Sequence, residues 1–242
     1  MKKSLKPVLY LALFFTTFVN AQWYSSKTIK GNGNLITEKR TTADYDEIQI
    51  TGFFEIQLTS GKEGNLTIEG EENILPLIKT EVENGVLKIS TEKNQNISTR
   101  KKLLITIPFE SLNAISLVGS GEVTSNATIK STRFSSRLTG SGDINLTIEA
   151  SAIELALSGS GTVKLTGKTN DLKVRLAGSG NVSTDALKAA NVETTVAGSG
   201  DATVYCSNAL KARVTGSGDI YYKGDPKTKD SKVTGSGNIS KR

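Results

Sequence analysis

No histidine occurs among the 242 residues, and there are only one cysteine, one tryptophan and four prolines. A lone Cys206 excludes an intramolecular disulfide framework, and with no histidine beside it the soft ligands of a zinc, haem or iron–sulfur site are missing. The same gap removes Ser-His-Asp and Cys-His nucleophilic catalysis. Long apolar runs are also scarce: beyond residue 21 nothing approaches the ~20 residues that a spanning helix needs. Basic residues outnumber acidic ones by only 30 to 24. A nucleic-acid partner would require a concentrated basic patch interleaved with stacking aromatics, and neither is present. Glycine, by contrast, is abundant, with 23 copies against a usual share of ~7%.

The first residues read as an address. Met1-Lys2-Lys3-Ser4-Leu5-Lys6 is basic, Pro7 to Val19 is apolar, and Val19-Asn20-Ala21 places small or neutral side chains at the −3 and −1 cleavage positions. Residues 1–21 are therefore expected to be an export signal cut after Ala21, giving a periplasmic, cell-surface or secreted protein. No cysteine stands at the cut to carry a lipid anchor. Removing Lys2, Lys3 and Lys6 leaves 27 basic and 24 acidic residues, so much of the apparent basicity belongs to the signal.

The glycines are periodic. Gly-Ser-Gly begins at Gly119, Gly140, Gly159, Gly178, Gly198, Gly216 and Gly235, with spacings of 21, 19, 19, 20, 18 and 19 residues. A period near 20 is the mark of a solenoid. Two residues before each first glycine stand Leu117, Leu138, Leu157, Leu176, Val196, Val214 and Val233; four after it stand Val123, Ile144, Val163, Val182, Ala202, Ile220 and Ile239. Phe134, Ile153, Leu172, Val192 and Leu210 extend the alternation to six before. Period two on both sides of a glycine corner means two strands per repeat with one face turned inward. Five before the glycine, Glu154, Lys173, Glu193, Lys211 and Asp230 alternate in sign, as stacked rungs ~4.8 Å apart would favour.

The first half keeps this register more loosely. Ile48, Ile50, Ile56 and Leu58 flank Gly52 as their counterparts flank each triplet, and Gly31-Asn32-Gly33 between Ile29 and Leu35 reads as an earlier coil that starts the stack. From Leu66 to Ser111 the pattern is irregular. Asn73 to Lys79 can make a helical turn interrupted at Pro76, and Asn84-Gly85 reads as a hairpin turn. Leu103, Ile105 and Ile107 alternate as a strand that Pro108 is expected to stop, and the polar stretch Asn94 to Lys102 reads as a mobile excursion. The domain organisation is then a single β-helix domain over 22–242, with an N-terminal coil or cap at 22–44, a less regular part at 45–118 and regular repeats at 119–239. The fold class is an all-β, single-stranded parallel β-helix with about 19–20 residues per coil. It should hold about ten to twelve coils and be roughly 50–60 Å long at ~4.8 Å per coil.

From about Tyr45 to Ile239, Asp46-Glu47-Ile48-Gln49-Ile50-Thr51-Gly52 followed by repeated Gly-Ser-Gly-Asp/Asn-Ile resembles the head GIN domain family of putative autotransporter adhesins. The resemblance implies a right-handed β-helix related in shape to pectate lyases, on an exported bacterial surface or periplasmic protein. It carries over no catalytic residues. No carboxy-terminal segment is long enough for a membrane barrel, so self-export as an autotransporter is not expected.

Candidate sites compete with plainer roles. The triplet glycines supply φ > 0 at a corner, and Ser120, Ser141, Ser160, Ser179, Ser199, Ser217 and Ser236 would pair between coils. A phosphate cradle would need a helix start or a following lysine, and neither occurs. Asp201 and Asp219 on neighbouring coils could ligate calcium or act as paired acids on a glycan, although an Asx turn explains them as well. Three before the glycine, Arg137, Arg175, Arg213 and Lys232 form a stripe that could grip an acidic glycan or envelope headgroup, or simply keep the face soluble. Cys206 reads as a buried filler. Trp23, Tyr24 and Tyr221-Tyr222 read first as caps of the stack and second as stacking platforms for sugars.

No cofactor, metal or nucleic acid is expected. The favoured function is a non-catalytic binding or adhesion module for a glycan, envelope component or protein partner. A polysaccharide lyase or hydrolase, and an envelope-stress or assembly component, are the alternatives.

Overall fold

The computed structural model describes residues 28–92 and 95–242. Residues 1–21, expected to be an export signal, and Trp23 and Tyr24 lie outside the described residues. The chain winds into stacked parallel coils of about 7 turns. Each regular coil has one strand entering the Gly-Ser-Gly corner and one leaving it. The entering face runs from Glu47–Gly52 through Ala114–Gly119 and the later halves of Glu122–Gly140, Asp143–Gly159 and Thr162–Gly178. It continues through Leu187–Gly198 and Ala209–Gly216 to Thr228–Gly235. The leaving face carries Glu55–Ser60, the earlier halves of the same long strands, Asn181–Thr184, Asp201–Tyr205, Ile220–Lys223 and Ile239–Lys241.

Register makes the core. Leu117, Leu138, Leu157, Leu176, Val196 and Val214 stand in one column and are buried; Val233, on the last rung, is 40% exposed. The column on the other side of the corner, Val123 to Ile220, is buried as well. Cys206 is fully buried, and burial raises its thiol pKa above the ordinary range, as suits a core filler.

The glycines are required for two separate reasons. Gly159 has φ +131°, open to glycine and strained for any L side chain, and its rung lies so close to the one below that a Cβ would sit 2.2 Å from the Gly140 oxygen. That oxygen accepts two hydrogen bonds, from Ser160 N–H at 2.9 Å and Gly161 N–H at 3.2 Å. The triplet serines are exposed, and among the described residues no hydrogen bond joins their hydroxyls. The coils are thus clasped at the corner by backbone, and the expected serine pairing is absent.

The amino-terminal part departs from the expected simple winding. The rung made by Val86–Thr91 and Leu104–Phe109 follows Glu47–Ser60 in sequence yet stacks on its outer side, opposite Ala114–Gly119. Beyond it the parallel stack ends in antiparallel strands: Ile78–Glu83 on the entering face, and Asn65–Glu71 followed by Leu35–Thr41 on the leaving face. Gly31-Asn32-Gly33 therefore starts no coil; Leu35 is antiparallel to Glu71 and half exposed. So much chain goes into closing this end that fewer turns form than the ten to twelve expected.

Local expectations fare unevenly. Leu75–Leu77 is a 3-10 turn containing Pro76, and Asn84 (φ 54°) with Gly85 (φ 76°) makes the hairpin. Pro108 does not stop its strand, which runs Leu104–Phe109. The antiparallel neighbour pairs only as far as Thr106, so Pro108 lies on a free edge where its missing N–H costs nothing. Asn96–Ser98 is a short strand parallel to Thr28–Lys30, so the expected excursion is pinned down.

Glu71 is the pin. Its side chain is buried and accepts N–H hydrogen bonds from Gly33 (2.7 Å), Arg100 (2.8 Å) and Lys101 (3.3 Å). Burial opposes its ionisation, but the hydrogen bonds from Arg100, Gly33 and Lys101 outweigh burial and hold the carboxyl below its usual range. A depressed folded-state pKa gives stabilisation that is complete above the unfolded value near 4.5 and is lost as pH falls through the folded value. The protection factors of the Gly33 and Arg100 amides, taken against the intrinsic exchange rate at each pH, are therefore expected to fall as pH drops below the unfolded value near 4.5, approaching those of Glu71→Gln, and to be constant well above it. Equal protection of those amides in the two proteins at pH 7 would remove Glu71 from this role.

Candidate functional site: a groove along the stack

Residues seven, six and five before each triplet line a groove of about 920 Å³ that crosses successive rungs of the entering face. Beneath it lie Phe134, Ile153, Leu172, Val192 and Leu210, core residues that are only 2–3% exposed. One wall is the alternating charge column; the other carries Arg133, Ala152, Asp171, Asn191, Ala209 and Thr228. Asn113 stands at one end of that apolar column and Lys229 at the other.

The charges are largely spent on one another. Glu193 accepts Lys211 at 3.2 Å and stands 3.7 Å from Lys173, from the rungs on either side. The hydrogen bond from Lys211, helped by Lys173 and Arg175, holds the Glu193 carboxyl below its usual range despite partial burial. On the opposite wall Asn191 donates to Asp171 at 2.9 Å, and Asn208 donates to Asn191 at 2.8 Å. Exposed pairs of this kind contribute ~0–1 kcal/mol each, so they fix register more than stability.

The arginine stripe is interleaved, not continuous. In register it reads Arg137, Ala156, Arg175, Thr195, Arg213 and Lys232, so cations meet on adjacent rungs only at Arg213 and Lys232. Arg175 pairs with Glu154, and Arg213 with Asp230, whose carboxyl this contact lowers. Half the stripe is thus neutralised by the groove wall, leaving Arg137 and Lys232 without a carboxylate partner among the described residues.

Asp201 and Asp219 are brought onto adjacent rungs but face backbone. Asp201 Oδ1 accepts Asp219 N–H at 2.8 Å; Asp219 Oδ1 accepts Asn238 N–H at 2.7 Å and its Oδ2 accepts the Tyr221 hydroxyl at 2.8 Å. Each carboxylate accepts a backbone N–H of the next rung, a bond between rungs in place of the local Asx turn that was the plainer expectation. Among the described residues no three His, Cys, Asp or Glu side chains cluster as metal ligands would. Tyr221 and Tyr222 are covered by Arg242 and Lys229, so their ring faces serve the end of the stack and are not open platforms.

The groove is not legible in the sequence, because period two places the outward residues of a strand on one face without saying how that face curves. Among the described residues no helix is long and apolar enough to cross a membrane.

Several solved structures share this architecture. A putative adhesin from Bacteroides fragilis is 29% identical, with TM-score 0.85, covering 88% of this chain and 100% of its own. A putative lipid binding protein from Parabacteroides distasonis is also 29% identical, with TM-score 0.74, covering 89% and 100%. A putative adhesin from Parabacteroides distasonis at 22% identity, TM-score 0.74 and the same coverage supports the fold alone. Among curated proteins no relative matches the chain. Residues 44–226 match the family described as putative auto-transporter adhesin, head GIN domain, and with more than half of its length inside that match the chain belongs to this family.

Proposed function

We propose that the chain is an exported, non-catalytic binding module that engages a component of the bacterial envelope through the groove along its stack. The groove is the observation that carries this reading: it crosses successive rungs and is lined by equivalent positions of each, as a surface for an extended ligand would be. The carboxylates that an acid–base mechanism on a glycan would use are engaged by backbone N–H groups. Family membership and the names of its relatives, adhesins and a lipid-binding protein, agree with a binding role at the cell envelope.

Retention on the organism's own envelope fraction tests the proposal. Ala152→Arg and Ala209→Arg put a long charged side chain into the groove from half-buried wall positions. Each is expected to reduce binding at least ten-fold with unchanged far-UV circular dichroism. Arg137→Ala, on the neighbouring stripe, is expected to change it less than three-fold. Binding that follows Arg137 and ignores both alanine sites would move the site to the stripe.

A further inference from the structure

Beyond the groove and independently of it, we infer that the carboxy-terminal edge of the stack takes up one further strand: an extended acidic segment of a partner protein, with an Asp or Glu between two apolar residues. The two ends of the solenoid are finished differently. At the amino-terminal end antiparallel strands close the sheets, and the half-buried Arg40 ties them together by donating to the carbonyls of Leu75 and Ile78. At the other end Thr228–Gly235 pairs with Ala209–Gly216, and Ile239–Lys241 with Ile220–Lys223, each on one side only among the described residues.

That edge is incomplete in packing, in hydrogen bonding and in charge. Every residue of Thr228–Gly235 is exposed, and Val233 is 40% exposed where the column beneath it, Leu117 to Val214, is buried. Each earlier Gly-Ser-Gly corner bonds to the next rung: the Gly216 oxygen accepts Ser236 N–H at 2.9 Å and Gly237 N–H at 3.1 Å. The Gly235 oxygen accepts none among the described residues. Lys232 stands next to Arg213 in the stripe and has no carboxylate of its own, since Asp230 is engaged by Arg213. A strand edge with free N–H and C=O groups is a template for strand addition.

Charge selects the occupant. Residues 225–242 carry five basic and two acidic side chains. Both acids are already paired, Asp225 with Lys241 and Asp230 with Arg213, so the excess at this edge is positive. Two such ends brought face to face repel, which is how lysine-bearing edges keep a protein from stacking on itself. The same cations attract an acidic strand. Register then gives the motif. A residue opposite Lys232 points outward beside its ammonium, whereas its two neighbours lie over Ser231 and Val233 and extend the inner columns. An acid flanked by apolar residues meets these demands in either strand direction. Main-chain hydrogen bonds and the cover over Val233 supply affinity, and the charge opposite Lys232 supplies selectivity. Lys229 takes no part, because its ammonium is turned onto the Tyr222 hydroxyl at 3.2 Å.

Hydrogen–deuterium exchange of the folded protein at low salt tests this, using short threonine–valine peptides whose central residue, flanked by valines, is glutamate or lysine. The glutamate peptide is expected to slow exchange across Thr228–Gly235 and to bind roughly ten-fold more tightly than the lysine peptide. Lys232→Glu, at an exposed position, is expected to reverse that preference with the thermal midpoint unchanged within a few degrees. Ala152→Arg is expected to leave peptide binding intact, so this inference and the groove reading fail separately. Protection by neither peptide, equal protection by both, or a preference that survives Lys232→Glu would overturn the inference. Protection of the same amides that rises with protein concentration alone would assign the edge to a second copy and overturn it as well.

Discussion

Gly159→Ala is expected to cost on the order of 4 kcal/mol or more, enough to unfold much of the protein, whereas Gly33→Ala costs about 1 kcal/mol. Both glycines have positive φ, +131° and +82° respectively. The difference is in what surrounds them. An ideal Cβ at Gly159 would stand 2.2 Å from the Gly140 oxygen and 3.1 Å from its nitrogen, atoms of a backbone that is clasped into the next rung and cannot yield. At Gly33 nothing lies within 4 Å, so only the backbone strain of an L residue remains. Urea midpoints read the comparison directly, with Gly159→Ala far below Gly33→Ala. Equal midpoints would mean that the rungs at the corner are not in van der Waals contact.

Leu157→Ala is the second large effect, at about 3 kcal/mol, from lost transfer energy and the cavity left behind. Leu138 and Leu176 stand above and below it in register, both nearly fully buried, and neither can move into the space without breaking its own rung pairing. Val233→Ala, in the same column but on the last rung and 40% exposed, should cost under about 0.5 kcal/mol. Chemical denaturation of the two variants separates a continuous column from a set of independent rungs. Similar losses at Leu157 and Val233 would contradict the column, because burial falls steeply only at the end of a stack.

The two variants also show why this fold could be read from its sequence. In most proteins core contacts join residues at unrelated separations. In a solenoid every core contact recurs at one offset, so Leu138, Leu157 and Leu176 announce their proximity by spacing alone. The alternation of Glu154, Lys173, Glu193 and Lys211 was legible for the same reason. Where the offset breaks, so does legibility. The rung made by Val86–Thr91 and Leu104–Phe109 stacks outside an earlier one, and the strands at Leu35–Thr41, Asn65–Glu71 and Ile78–Glu83 turn antiparallel. Nothing in a repeat register anticipates a reversal of direction. Pro108 looked like a strand end because the sequence does not say which strand edge is free.

The candidate site divides along the same line. Composition by itself excluded disulfides, soft-metal centres and histidine-dependent catalysis, and the triplet period determined the stacked coils, the glycine corner and the apolar columns. Those are properties of residue identity and constant offset. Tertiary structure alone decided that Arg175 and Arg213 are neutralised by Glu154 and Asp230, that Asp201 and Asp219 hold backbone, and that the positions seven to five before each triplet line a groove. These depend on the curvature of a face and the direction in which a side chain leaves it, and a linear pattern of period two carries neither.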